Sequence, residues 1–110
     1  MLLATDLWVS ALIRRAQLAG AFATVARKGD ARAGAVLVKL YNPLTREVRL
    51  YSQASTGEEE AIWMQPKLGA NESDLDAYVA RLAQYDPDLW LVEIEDREGR
   101  DFLTEKKEAR

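Results

Sequence analysis

The sequence predicts an α+β fold, and three observations predict it. Residues 5 to 19 carry apolar side chains at helical spacing, and residues 22 to 53 break into short β-type runs separated by turn residues. A second helical pattern after residue 71 is then followed by one more strand-like run, "DLWLVEIE". The expected order is an N-terminal helix, an antiparallel β-meander of three to four strands, a second amphipathic helix and a final strand that joins the sheet centrally. At 110 residues, 48% apolar and 30% charged, the chain has globular composition and length for one domain, residues 1–110, with a short solvated tail from about residue 104.

The first helix has Thr5 or Asp6 as N-cap and Gly20 as the residue beyond its end. Its only polar stripe is Ser10, Arg14 and Gln17, so it is apolar over most of its circumference and has to be covered on several sides, by the sheet or by a second copy. The strand runs are "FATVARK", "AVLVKLY" and "EVRLYSQ", with "AIWMQ" a fourth candidate; "GDARAG" and "NPLT" supply turns, the first read as a hairpin. Alternation places Val36, Val38 and Leu40 on one face, and pairing Leu40 with Val48 and Val38 with Leu50 brings the next strand's apolar residues to them through an odd-numbered loop centred on Leu44. The other face then carries Lys39, Tyr41, Arg49 and Tyr51 together.

Residues 54 to 74 collect acidic and turn-forming side chains, and part of this stretch is expected to be a mobile loop. Asn71 or Ser73 caps the second helix, whose core side is Leu75, Tyr78, Val79 and Leu82 and which must stop before Pro87. The final strand has Trp90, Val92 and Ile94 on one face and Leu89, Leu91, Glu93 and Glu95 on the other, so its first half suits a position buried on both sides. "DREGR" reads as a turn and "DFL" as a short return strand.

Composition narrows the chemistry. There is neither cysteine nor histidine, which removes disulfides, thiolate nucleophiles, histidine triads and the usual ligand sets for zinc, copper and iron; no cofactor is expected. The N-terminal run is broken by Asp6, Ser10, Arg14 and Arg15 and has no basic residue ahead of it, so neither an export signal nor a membrane span is expected, and the cytoplasm is the expected location.

Three constellations remain as candidates. Leu7, Trp8, Ala11 and Leu12 on the first helix, with Trp63 between glutamates and a proline as an exposed anchor, form a candidate protein interface. Residues 1 to 53 hold eight Lys/Arg against three Asp/Glu, and the rest hold seven against fifteen. Arg27, Lys28, Arg32, Lys39 and Arg49 with Tyr41 and Tyr51 therefore form a candidate basic-aromatic surface for anions or single-stranded nucleic acid, against which stands the acidic whole, with net charge −3. "ARKGDARAG" is not a phosphate cradle, because it lacks the Gly-Lys-Ser/Thr ending and no helix follows it. Asp88, Glu93 and Glu95 are the candidates for a magnesium-type ion, set against a strand end that carries acids only for solvation.

Two stretches, "LWVSALIRRAQLAGAFATVARKGDARAGAVLVKL" and "YDPDLWLVEIEDREGRDFL", resemble the corresponding parts of a family of short bacterial proteins known as domain of unknown function 1491. The resemblance implies a bacterial, self-contained protein and assigns no residue a role. The function expected is a small non-enzymatic interaction or adaptor module, with a protein partner or a homo-oligomer; anion or nucleic-acid binding is the alternative, and a magnesium-dependent carboxylate enzyme the second alternative.

Overall fold

The computed structural model describes residues 3–55, 61–66, 68, 71–105 and 107; the centre of the expected acidic loop and the last residues of the tail lie outside them. Along the chain come α1 (Thr5–Leu18), β1 (Phe22–Arg27), β2 (Val36–Tyr41), β3 (Val48–Ser55), β4 (Ala61–Met64), α2 (Glu72–Tyr85) and β5 (Trp90–Glu95). The strands form one five-stranded sheet in the order β1-β5-β2-β3-β4. The class is α+β, as predicted.

The meander is shorter than expected. Only β2, β3 and β4 follow one another antiparallel; β5 enters between β1 and β2, antiparallel to the first and parallel to the second. The reason lies in the two sequences. Leu89 to Val92 are all buried, which only a central strand with both faces covered can achieve, whereas β1 buries Ala23 alone among its side chains and suits an edge. Residues 28–35 are therefore not a hairpin but a crossing under the start of β5. Gly29 and Gly34 permit the crossing: an added Cβ would stand 2.0 and 2.3 Å from the Asp88 carbonyl oxygen. The Asp30 amide donates to that carbonyl at 3.0 Å, and the Trp90 indole donates to the Asp30 carbonyl at 2.7 Å. Further along, the Arg32 and Ala31 carbonyls accept from the Thr5 and Asp6 amides at 3.2 and 2.9 Å, so this loop satisfies the first turn of α1, which has no side-chain cap.

The register between β2 and β3 is one residue away from the expected one: Leu40 lies opposite Arg49, Lys39 opposite Leu50 and Val38 opposite Tyr51. Both sheet faces are covered, so β3 can bury either of its alternating sets. The ring of Tyr51 fills the α1 side and Leu50 the α2 side. The connection 42–47 is even-numbered, held by the Asn42 carboxamide, which accepts from the Leu44 and Thr45 amides, and by Arg46 at φ 63.

Two cores result. On one face Trp8, Val9, Leu12 and Ala16 of α1 pack on Val36, Val38, Tyr51, Trp63, Trp90, Val92 and Ile94; on the other Leu75 and Val79 of α2 pack on Leu37, Leu50, Leu89 and Leu91. The Asn71 side chain caps α2 by accepting from the Asp74 amide at 2.9 Å, and the helix ends at Tyr85, ahead of Pro87. Gly20 follows α1 at φ 90, the left-handed position that favours glycine.

The C-terminal stretch departs from the solvated tail that the sequence predicts. Residues 101–103 form no strand; instead Phe102 and Leu103 pack against the α1-side core, and the Arg15 guanidinium donates twice to the Phe102 carbonyl, at 2.9 and 3.3 Å. Beyond them Glu105 sits under two indoles, with Trp8 Nε1 donating to its Oε2 at 2.9 Å and Trp63 Nε1 to its Oε1 at 3.2 Å. Two buried tryptophans have to place their N–H groups, and the tail supplies the acceptor.

Candidate functional site

The three predicted constellations fare differently. Of the interface set, Trp8, Leu12 and Trp63 are buried, and Trp63 is fully so, stacked on Trp8 with ring centroids 5.3 Å apart. The exposed-anchor reading of Trp63 is thus corrected: its indole closes the α1-side core. Leu7 and Ala11 do face outward, and Leu18 joins them, with Leu7 60% and Leu18 77% exposed. These three stand four and seven residues apart along the side of α1 opposite the one that packs on the sheet, with the exposed Arg14 between Ala11 and Leu18.

The basic-aromatic surface is not one surface. The register places Lys39 and Tyr41 on the α2 side of the sheet and Arg49 and Tyr51 on the α1 side, where Tyr51 is buried. Arg49 pairs with Glu47 at 2.6 Å. Arg27 and Lys28 lie at the far end of β1, and Arg32 in the crossing loop.

Lys39 is a charge held inside the sheet. Only 5% exposed, its ammonium donates to Glu72 at 2.6 Å and Asp76 at 2.9 Å, both in the first turns of α2, with Glu93 at 3.8 Å. Burial is the largest single influence and works against its charge; the hydrogen bonds and charges of Glu72 and Asp76 outweigh it, so its pKa lies above the ordinary value. These acids take the helix N-terminus, where carboxylates are favoured, and use it to neutralise a lysine inside the sheet.

The acids proposed for a metal do not converge either. Asp88 precedes β5 at its opposite end, about 16 Å from Glu93 at strand spacing. Among the described residues no group of three or more acidic side chains is placed to hold a metal ion. Glu93 and Glu95 instead line an open cleft of about 250 Å³, together with Phe22, Thr24, Lys39, Tyr41 and Glu72. With three carboxylates, one neutralised lysine and two aromatic rings, the cleft presents negative charge beside apolar surface, which suits a cationic group.

A family model described as a protein of unknown function, DUF1491, matches residues 3–104. The chain belongs to this family. Among solved structures, a DUF1491 family protein from Caulobacter crescentus CB15 is similar in its crystal structure, with 62% identity over 99% of this chain and 100% of that one and a TM-score of 0.91. The NMR structure of a DUF1491 family protein from the same organism is also similar, at 63% identity over 99% of this chain and 99% of that one, with a TM-score of 0.91. Protein Atu0922 from A. tumefaciens, solved in solution, is 33% identical over 100% of this chain and 99% of that one, with a TM-score of 0.82. These relatives are bacterial, and none of the curated proteins matches. No helix of this DUF1491 chain, among its described residues, is long and apolar enough to cross a membrane.

Two features of the DUF1491 chain escaped the sequence reading. Phe22, 72% exposed at the start of β1, lines both the acidic cleft and a second cleft with Leu44 and Arg100. A large aromatic beginning a strand whose partner strand carries glutamates was the available signal. The second is the pairing of Lys39 with α2: a lone lysine inside "VLVKLY" and an acid-rich helix start, "NESDLD", are complementary, but their separation along the chain hides the match.

Proposed function

We propose that this DUF1491 protein is a small cytoplasmic interaction module, which acts by binding a protein surface rather than by catalysis. The observation that carries the reading is the apolar line on α1: Leu7, Ala11 and Leu18 face water although the helix buries Trp8, Val9, Leu12 and Ala16 in its own core. Scattered apolar residues are ordinary at a surface, but an aligned row along one helix is the pattern that helix-mediated contacts use. The cytoplasmic placement is supported by the cysteine-free composition.

The test is capture of tagged protein from a bacterial lysate, nuclease-treated and untreated, beside the double variant L7E/L18E. Both positions are exposed, so the variant's melting temperature should match the parent's. The reading expects a stoichiometric protein, another or the same chain, that survives nuclease and is lost with the variant. Retention of the same proteins by the variant would overturn the role of α1. Recovery only of material that nuclease removes would favour nucleic-acid binding in its place.

A further inference from the structure

The two edges of the sheet are treated differently. Among the described residues, β4 meets Lys107 in a parallel bridge along its outer edge, while the outer edge of β1 meets nothing. Open edges invite further strands. β1 is also polarised. At its start Phe22 pairs with Glu95 and Thr24 with Glu93, so that end is acidic and apolar; at its finish stand Arg27 and Lys28.

The bulge between Val25 and Arg27 makes this polarity usable. Val25 lies opposite Val92, on the α1 side, and Arg27 opposite Leu91, on the α2 side, so the extra residue Ala26 turns Arg27 onto the same face as Phe22, Thr24, Glu93 and Glu95. The guanidinium has no carboxylate partner among the described residues: one of its terminal nitrogens donates to the Pro87 carbonyl at 3.3 Å, and its buried Nε has no acceptor. Glu95 likewise has no ion pair among the described residues. Within one chain the two do not pair: Arg27 lies opposite Leu91 and Glu95 four residues further along β5, about 13 Å away.

We infer that the occupant of this edge is a second copy of the chain, with β1 antiparallel to its counterpart and Thr24 on the two-fold axis. The inference rests on the interaction-module reading and names the partner. In that register side chains match face for face: Thr24 meets its own equivalent, Ala23 meets Val25, and the bulge places Arg27 of one copy across from Phe22 of the other. The guanidinium then lies over the exposed ring, one further strand from Glu95. That separation is about 10 Å between Cα atoms, which the two long side chains span. A two-fold axis makes each contact twice. Parallel pairing, or pairing with an unrelated basic strand, would satisfy one end of β1 and not the other.

The experiment is sedimentation equilibrium from micromolar to millimolar concentration on the full chain, the single variants R27E and E95R, and their equimolar mixture. The wild-type chain should dimerise, and each single variant should weaken the dimer roughly tenfold or more, because like charges then face each other twice. In the mixture Arg27 of one chain meets Glu95 of the other, and the two substituted residues meet as well, so dimers should return. Amide exchange on the wild-type chain gives a readout independent of any variant: protection across residues 22–26 should rise with concentration. A wild-type chain that stays monomeric overturns this inference and leaves the interaction reading to the capture experiment. A dimer insensitive to both variants, or a mixture that stays monomeric, also overturns it, and the first of these points to the α1 line instead.

Discussion

At the scale of single residues, the informative groups are Lys39 and Glu105, each a charge held against a core. The ammonium of Lys39 is buried, while the side chains of Glu72 and Asp76 are 56% and 57% exposed. Removing the lysine therefore strands nothing, because both acids turn to water, and K39M should change the unfolding free energy by less than about 1 kcal/mol. The double variant E72Q/D76N leaves the buried cation only Glu93, 3.8 Å away, as a charged partner; the loss should be about 2 kcal/mol, discounted for the exposure of the acids. Chemical denaturation of both variants tests this asymmetry. Because Lys39 has a raised pKa when folded, its contribution is complete below the ordinary value of 10.5 and is lost as the pH rises through the folded value. Glu105 has the opposite sign. Burial raises its pKa, but the Trp8 and Trp63 N–H bonds and the charge of Arg15 outweigh this and leave it below the ordinary 4.5. Its contribution is present above 4.5 and disappears as the pH falls through the folded value. Tryptophan emission should change in that acid range, and E105Q should remove this component; E105A should cost about 1–2 kcal/mol, for two hydrogen bonds lost from buried indoles.

At the scale of elements, the crossing of residues 28–35 under β5 depends on two glycines more than on any apolar contact. A methyl group on Gly29 would meet the Asp88 carbonyl at 2.0 Å and the Trp90 ring at 2.7 Å, and neither can retreat, since Trp90 is packed in the core and hydrogen-bonded to Asp30. G29A should lower stability by about 3 kcal/mol, as overpacking against fixed backbone does, whereas G20A should cost less, because its strained φ of 90 faces open space. Thermal unfolding of the two variants ranks them. The crossing also marks what sequence reading can and cannot reach. Both helices were legible from periodicity, the second also from its Asn71 cap and Pro87, and the central place of β5 from a run apolar on both faces; neither Thr5 nor Asp6 caps the first, whose N-cap is Ala4. The neighbour of β1 was not, because local turn residues are the same in a hairpin and in a crossing, and only the three-dimensional need to insert β5 decides between them. The β3 register failed for a related reason: alternation identifies two faces, but with helices on both it does not say which face is which. That single slip joined Arg49 and Tyr51 to Lys39 and Tyr41 in a surface that the fold divides. The over-apolar first helix was legible, but not which of Leu7, Trp8, Ala11 and Leu12 face outward, since Trp8 and Leu12 are buried; Trp63 was misread because its cover, Glu105, comes from the far end of the chain.

At the scale of the whole molecule, the last strand completes both halves of the fold. Before β5 is in place, β1 has no partner, Trp8 and Leu12 lack half the floor they pack on, and the α2-side core lacks Leu89 and Leu91. The two cores share β5, as they share β2 and β3, with Val92 and Ile94 on one side and Leu91 on the other, and neither can persist without it. Unfolding should be a single cooperative transition in which tryptophan emission, reporting the α1 side, and far-UV circular dichroism, reporting both helices and the sheet, coincide in urea. The variant V92A tests the coupling. Val92 is fully buried between Val25 and Val38, so removing its methyl groups should cost about 2–3 kcal/mol in transfer and cavity terms. The lost stability should appear equally in both probes, and equally in amide protection of β2 on one side of β5 and of α2 across the other face, since none of these elements stands alone. If V92A moved the emission transition and left the α2 amides protected, the two faces would be separate folding units and β5 a shared wall rather than the element that joins them. The pairing of β5 with strands far from it in sequence also makes most stabilising contacts non-local. The chain should then refold on the millisecond-to-second scale of sheet proteins rather than the microseconds of helical ones, with V92A slowing refolding if β5 docking belongs to the transition state and accelerating unfolding if it follows it.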